Sequence, residues 1–207
     1  MTTAFLLWSI IFVTEPLSQL PVNPPSPTSP ILAERLDAVH KSPADPRARL
    51  ELGMAYAVAE EYDLAMSELV ESIRLNQDNK ENLTAQANFQ LGIVLAALER
   101  PDLATNAYRE ALRLGLQEAG VYSALGEALA ADRKYDEAIS EYRTAVHLSP
   151  NSFAARAGLA LVLEASGKLD EALTEYEAAL QSAPPADDHT VEAIKQRLRM
   201  LKDRRRL

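Results

Sequence analysis

The chain of 207 residues contains no cysteine. Disulfides, thiolate metal sites and cysteine nucleophiles are therefore excluded, and the chain suits a reducing or an oxidising compartment equally. Only three histidines occur, His40, His147 and His189. They are scattered, and none stands in the His-x-x-x-His or His-Glu-x-x-His spacing that puts two ligands on one helix face. No Gly-x-Ser-x-Gly elbow and no Gly-x-Gly turn is present. Ser166-Gly167-Lys168 has the tail of a phosphate loop, but Val162 stands where the leading glycine is required. Asp187-Asp188-His189 reads better as an N-cap cluster opening a last helix than as a metal site. Carboxylates are plentiful, yet they fall on polar helix faces without the apolar surroundings that raise a pKa. No catalytic, metal-ligating or cofactor-binding residue can be nominated, and the expectation is a protein that is not an enzyme.

Charge of one sign is also scarce in most of the chain. The net charge is -9, but the residues from Lys195 to the end carry seven bases against Asp203, a net of +6, which leaves -15 on residues 1–194. A body that acidic repels a phosphate backbone, so nucleic acid is not an expected partner. Apolar residues make up 47% and charged ones 25%, proportions that support a folded core.

One long apolar run exists. Phe5 to Val13 reads Phe-Leu-Leu-Trp-Ser-Ile-Ile-Phe-Val, the length of a signal-peptide apolar region and too short to span a bilayer. No Lys or Arg precedes it and no Ala-x-Ala follows. The preferred reading of residues 1–15 is an export signal or an uncleaved membrane-proximal segment, and the alternative is an apolar tail or a misplaced start. Localisation is expected to be exported or membrane-associated, with the cytoplasm as the alternative. Pro16, Pro21, Pro24, Pro25, Pro27 and Pro30 follow, so residues 16–30 should form an extended, solvated spacer rather than a core element.

The rest of the chain repeats. The pairs Leu52-Gly53, Leu91-Gly92, Leu125-Gly126 and Leu159-Ala160 are spaced by 39, 34 and 34 residues. Twelve residues after each pair comes Ala65, Ala104, Ala138 or Ala172. Four further on comes Leu69, Tyr108, Tyr142 or Tyr176, and three beyond that Ser72, Ala111, Ala145 or Ala179. A period of this size means stacked helical hairpins, each burying its apolar face only against its neighbours.

Each unit divides into two amphipathic helices. In the third, Tyr122, Leu125, Gly126 and Leu129 make one stripe, Arg133-Lys134-Tyr135-Asp136 interrupts it, and Ala138, Tyr142, Ala145 and Val146 make the second. Asp136 is expected to be the N-cap of the second helix, with Asp63 and Asp102 doing the same in units one and two. Pro150 ends the helix by disfavouring helical geometry at the residue before it. Glycine in a helix costs about 1 kcal/mol relative to alanine. Gly53, Gly92 and Gly126 therefore suggest close backbone approach, with the alanines of the second helix as partners. The tyrosines read as core plates between units.

The Leu-Gly pair, the Tyr or Leu three residues later, the Ala, Tyr and Ala at these offsets and the closing proline resemble the tetratricopeptide repeat family. Residues 119–152 and 153–186 follow the pattern closely, with Pro150 and Pro184 at the closing position. Residues 46–79 depart there with Gln77 and residues 85–118 with Leu116. Residues 31–45 look like a half-repeat, and 187–206 like a capping helix whose apolar stripe is Val191, Ile194, Leu198 and Leu201. That helix's other face (Lys195, Arg197, Arg199, Lys202, Arg204, Arg205 and Arg206) is expected to be solvated, or to meet an anionic lipid or acidic protein. The five extra residues around 78–82 could lengthen either a helix or a loop, and Asn82-Leu83-Thr84 forms a chance glycosylation sequon.

The resemblance implies an all-α, right-handed superhelix of hairpins whose first helices line a concave groove. Carried onto this chain, the partner-binding positions are Arg47, Leu50, Met54, Gln86, Phe89, Gln90, Ile93, Ser123, Glu127, Ala157 and Leu161. The resemblance implies a noncatalytic adaptor for a peptide or helix of another protein, with Phe89 as its central anchor. The alternatives are a permanent structural subunit of a larger assembly, or a groove filled by the chain itself. Some members of the family hold a terminal carboxylate with Lys and Asn in this groove; Leu50 and Met54 occupy the first two of those positions and argue against that use here.

Overall fold

A computed structural model describes residues 30–183 and 188–204. Among them are ten α-helices and no strand: α1 (Pro30–Lys41), α2 (Pro46–Val58), α3 (Tyr62–Leu75), α4 (Leu83–Ala97), α5 (Pro101–Arg113), α6 (Ala119–Ala131), α7 (Tyr135–Leu148), α8 (Phe153–Ala165), α9 (Leu169–Gln181) and α10 (Asp188–Arg204). The apolar run at 5–13 and the proline-rich stretch lie outside the described residues, as do Pro184, Asp187, Arg205 and Arg206. Pro30 is not spacer but the first residue of α1, a position where its missing N–H goes unused.

The helices pair in order as hairpins α2/α3, α4/α5, α6/α7 and α8/α9, and each hairpin stacks on the next. The first helices also touch along the stack, α2 against α4, α4 against α6 and α6 against α8. They form the inner layer, and α3, α5, α7 and α9 form the outer one. The expected helical-hairpin architecture is what the structure shows.

Within each hairpin the turn is the same. Glu60, Glu99, Arg133 and Gly167 take positive φ, at 60°, 56°, 60° and 82°. The next residue's N–H bonds back to the carbonyl five residues earlier, as Lys134 does to Leu129 at 2.9 Å and Lys168 to Leu163 at 2.9 Å. This left-handed closure satisfies the last carbonyls of the first helix. The second helices then start at Glu61, Arg100, Lys134 and Lys168, none of which caps with its side chain. Asp63, Asp102 and Asp136 are thus not N-caps, as their sequence suggested. They sit in the first turn, where a carboxylate is stabilised by the helix dipole. Asp136 instead accepts a hydrogen bond from Lys168 of the next unit at 2.8 Å. True side-chain caps are Asp45 on α2 and Ser152 on α8.

Gly92 and Gly126 make room for a tyrosine ring, whereas Gly53 makes room for the Leu69 side chain, with the Ala65 backbone carbonyl 3.2 Å from where a Cβ on Gly53 would lie. A Cβ on Gly126 would lie 2.7 Å from Cδ2 of Tyr142, and one on Gly158 would lie 2.4 Å from its Cε1. The Tyr142 ring is therefore held between α6 of its own unit and α8 of the next. Ala138 beside it is fully buried. Leucine there overpacks the hairpin, and Ala138→Leu is expected to lower the unfolding free energy by about 1–3 kcal/mol in a urea titration.

The five extra residues form neither a helix extension nor a loose loop. Lys80–Asn82 make one 3₁₀ turn, flanked and broken by positive φ at Asn79, Glu81 and Asn82. Asn76 and Thr84 are buried beneath it, the Thr84 hydroxyl donating to the Asn76 carbonyl. The Asn79 amide donates to the Leu114 carbonyl at 3.1 Å, tying the turn to unit two.

At the far end, α10 packs on α9. Ile194 and Leu201 are buried in the core shared by α4 to α9, and Val191 and Leu198 are half-buried beside them. The described basic residues of α10 (Lys195, Arg197, Arg199 and Lys202) are exposed, and three of them also pair with carboxylates. Arg197 donates to Glu164 at 2.7 Å, Lys202 pairs with Glu177 at 2.7 Å and Lys195 with Glu192 at 3.6 Å. Arg197 and Lys202 thereby reach across to the last hairpin, whereas the Lys195 pair lies within α10.

Candidate binding groove

The inner layer presents one row of equivalent positions, one per hairpin: Met54 on α2, Ile93 on α4, Glu127 on α6 and Leu161 on α8. All four are exposed, and the three apolar members expose 40%, 39% and 43% of their surface. Other apolar side chains are as exposed, such as Val70 and Leu148, but these three recur at one position of the repeat. One turn further along the same helices lie Val58, Ala97, Ala131 and Ala165, also exposed. The sequence reading missed this second row. Its signal was available as the residue four positions after each member of the first.

The other expected positions divide. Leu50 and Ala157 are buried, so contrary to expectation they leave little surface to offer a partner. The reason is packing: Leu50 belongs to the core shared by α1 to α4 and Ala157 to the core shared by α4 to α9. Phe89 is half-buried and packs on the core, its ring 5.9 Å from that of Tyr108 at an angle of 50°. It supports the fold, so substituting it would disturb packing along with any partner contact. Arg47 is exposed, but its guanidinium pairs with Glu81 of the inter-unit turn. Gln86 is exposed, and Gln90 and Ser123 are half-buried. With the charged Arg47 and Glu127 they are the polar members of a lining whose other members are aliphatic, apart from Phe89.

Two carboxylates face this lining, and their surroundings differ. Glu164 accepts from the Tyr176 hydroxyl at 2.8 Å and from Arg197 of α10 at 2.7 Å. Glu127 has no cation within 4 Å among the described residues. Burial raises the Tyr108 and Tyr142 hydroxyls above their usual range, and the negative charge of Glu127 adds to the effect. Both phenols stay neutral at any physiological pH. Burial, followed by the Glu164 carboxylate, does the same to Tyr176.

The strip opens at its first end into a cavity of about 430 Å³ between α1 and α2, lined by Ile31, Arg35, Met54 and Val58 among others. Arg35 is held there by Glu51 at 2.7 Å. No helix among the described residues is long and apolar enough to cross a membrane.

Solved structures share this fold. The crystal structure of YrrB, "a TPR protein with an unusual peptide-binding site", matches with a TM-score of 0.63 at 22% identity, covering 77% of this chain and 81% of that one. A crystal structure of MamA matches with a TM-score of 0.65 at 22% identity, covering 73% and 85%. MamA from Desulfovibrio magneticus RS-1 gives 0.66 at 18% identity, covering 76% and 86%. No curated protein sequence matches the chain. Two sequence profiles of the tetratricopeptide repeat match it, one over residues 26–116 and the other over 89–152 and again over 123–187. The matches run without a gap from residue 26 to residue 187, across all four hairpins, and the chain belongs to the tetratricopeptide repeat family.

Proposed function

We propose that this protein binds a peptide or helical segment of another protein along its concave face and catalyses no reaction. The observation that carries the reading is the exposed row of Met54, Ile93 and Leu161 on three of the four inner helices. The peptide-binding site named for YrrB supports the same use of the fold. The adaptor reading is preferred over a permanent subunit because each hairpin buries its own core residues completely: Ala65, Ala104, Ala138 and Ala172 expose no surface at all. The array is complete without a second chain to close its core.

The test is capture of partners from native cells by the full chain, followed by affinity measurement on the strongest. Ile93→Asp and Leu161→Asp place a charge where an apolar contact is expected and should each weaken binding more than about tenfold, the range of an interface hot spot. Their melting temperatures should stay close to the parent, since both side chains already face solvent. Val70→Asp, an exposed position on the outer helix α3, should change nothing. Equal capture by Ile93→Asp, Leu161→Asp and the parent would remove the reading.

A further inference from the structure

Resting on that reading, we infer that the partner is an amphipathic α-helix whose apolar face carries one Lys or Arg, seated against Glu127. The lining makes the case for a helix. It is two residues wide, the row of Met54, Ile93 and Leu161 running beside a second row of small side chains at Ala97, Ala131 and Ala165. An extended peptide laid along these two rows would bury its own N–H and C=O groups against aliphatic carbon, since the polar side chains of the lining, Gln86, Gln90 and Ser123, stand outside the two rows. A helix satisfies those groups internally and offers an apolar stripe of matching width. The small row lets its backbone approach closely.

Spacing agrees with a helical ligand. Packed helix axes lie about 8–10 Å apart. Residues seven apart on a helix are about 10.5 Å apart along its axis. A helix crossing the inner layer therefore sets one heptad position over each unit in turn: apolar over Met54, apolar over Ile93, a third over Glu127, and apolar over Leu161.

The charge at the third position decides its chemistry. Glu127 lies in an aliphatic strip, without a cation partner among the described residues. Covering it with an apolar residue desolvates a carboxylate with nothing in return, and covering it with an acid adds repulsion. A basic side chain compensates it. The chain already uses this pairing one unit further on, where Arg197 of α10 meets Glu164 on α8 at 2.7 Å.

Synthetic helical peptides of about three heptads test this on the full chain. Each carries leucine on one face and Lys or Glu at the third of its four heptad positions on that face, with overall charge balanced on the solvent side. A third carries the Lys peptide's sequence with a proline at its middle on the solvent face. Binding is read by fluorescence anisotropy. The Lys peptide should bind at least about tenfold tighter than the Glu peptide, and Glu127→Lys should reverse the order. The proline peptide should lose binding, because it cannot keep the helix. Equal binding of the Lys and Glu peptides, an order that Glu127→Lys leaves unchanged, undiminished binding of the proline peptide, or no binding of any peptide would each overturn the inference. If the Lys and Glu peptides bind alike and Ile93→Asp abolishes both, the groove reading stands and only the basic contact falls. If Ile93→Asp spares both, the groove reading falls with it.

Discussion

Tyr142→Ala should lower the unfolding free energy by about 3–5 kcal/mol, the range for removing a large buried aromatic. The ring fills the space between Gly126 on α6 and Gly158 on α8, where a Cβ on either glycine would lie within 2.7 Å of it. Neither flank carries a side chain that could move in, so the cavity cannot collapse cheaply. Against a typical domain stability of about 5–15 kcal/mol, the loss is a large fraction of the whole. It should also be local in character. The stability of a stacked array is close to a sum of unit and neighbour terms, and this ring is part of the term that joins units three and four. Amides of α8 and α9 should therefore lose exchange protection before those of α2 and α3. Tyr122 gives the comparison. It is only half-buried, with its hydroxyl donating to Gln117, and Tyr122→Ala should cost less than about 1 kcal/mol. Similar urea midpoints for the two variants would contradict the wedge described here.

Removing α10 should cost a comparable amount and should alter association state. Truncation after Ala183 exposes the face of α9 that Ile194 and Leu201 cover. Two fully buried aliphatic side chains are worth about 1.5–3 kcal/mol each, so the loss should be about 3–6 kcal/mol. The bared face would be a solenoid end without its polar cover, and self-association at micromolar concentration should appear in light scattering. Ile194→Asp in the intact chain separates packing from chain length and should reproduce much of the destabilisation. Arg197→Ala should cost far less, because its pair with Glu164 is half in solvent and such pairs are worth about 0–1 kcal/mol. If Arg197→Ala equals Ile194→Asp, the helix is held by charge and not by apolar burial.

The register of the hairpins was legible from the Leu-Gly pairs and the residues that follow at fixed offsets, because those residues are the inter-unit core itself. The details that escaped have physical reasons. Asp63, Asp102 and Asp136 resembled caps because a carboxylate is favoured both at a cap and one or two positions inside, and only backbone geometry separates the two. Gly158 was missed because unit four carries Ala160 where the others carry glycine, and the template said nothing about which ring the unit before it would lean across. Leu50 and Ala157 read as groove residues because equivalent positions in a repeat share a direction. How far each is covered depends on how closely successive inner helices pack. The groove row at Met54, Ile93, Glu127 and Leu161 came from the family resemblance, which implies which face of the first helix points inward; the repeat offset only carried that position from unit to unit.

The central claim is that the inner face carries the partner. It is tested most directly by placing a photo-crosslinking amino acid at position 93, and separately at position 70, in the full chain and irradiating native cells. The account predicts crosslinks from position 93 that map to one short segment of a partner, with none of that product from position 70 on the outer helix. Crosslinks to the same partner from position 70 but not from position 93 would contradict it.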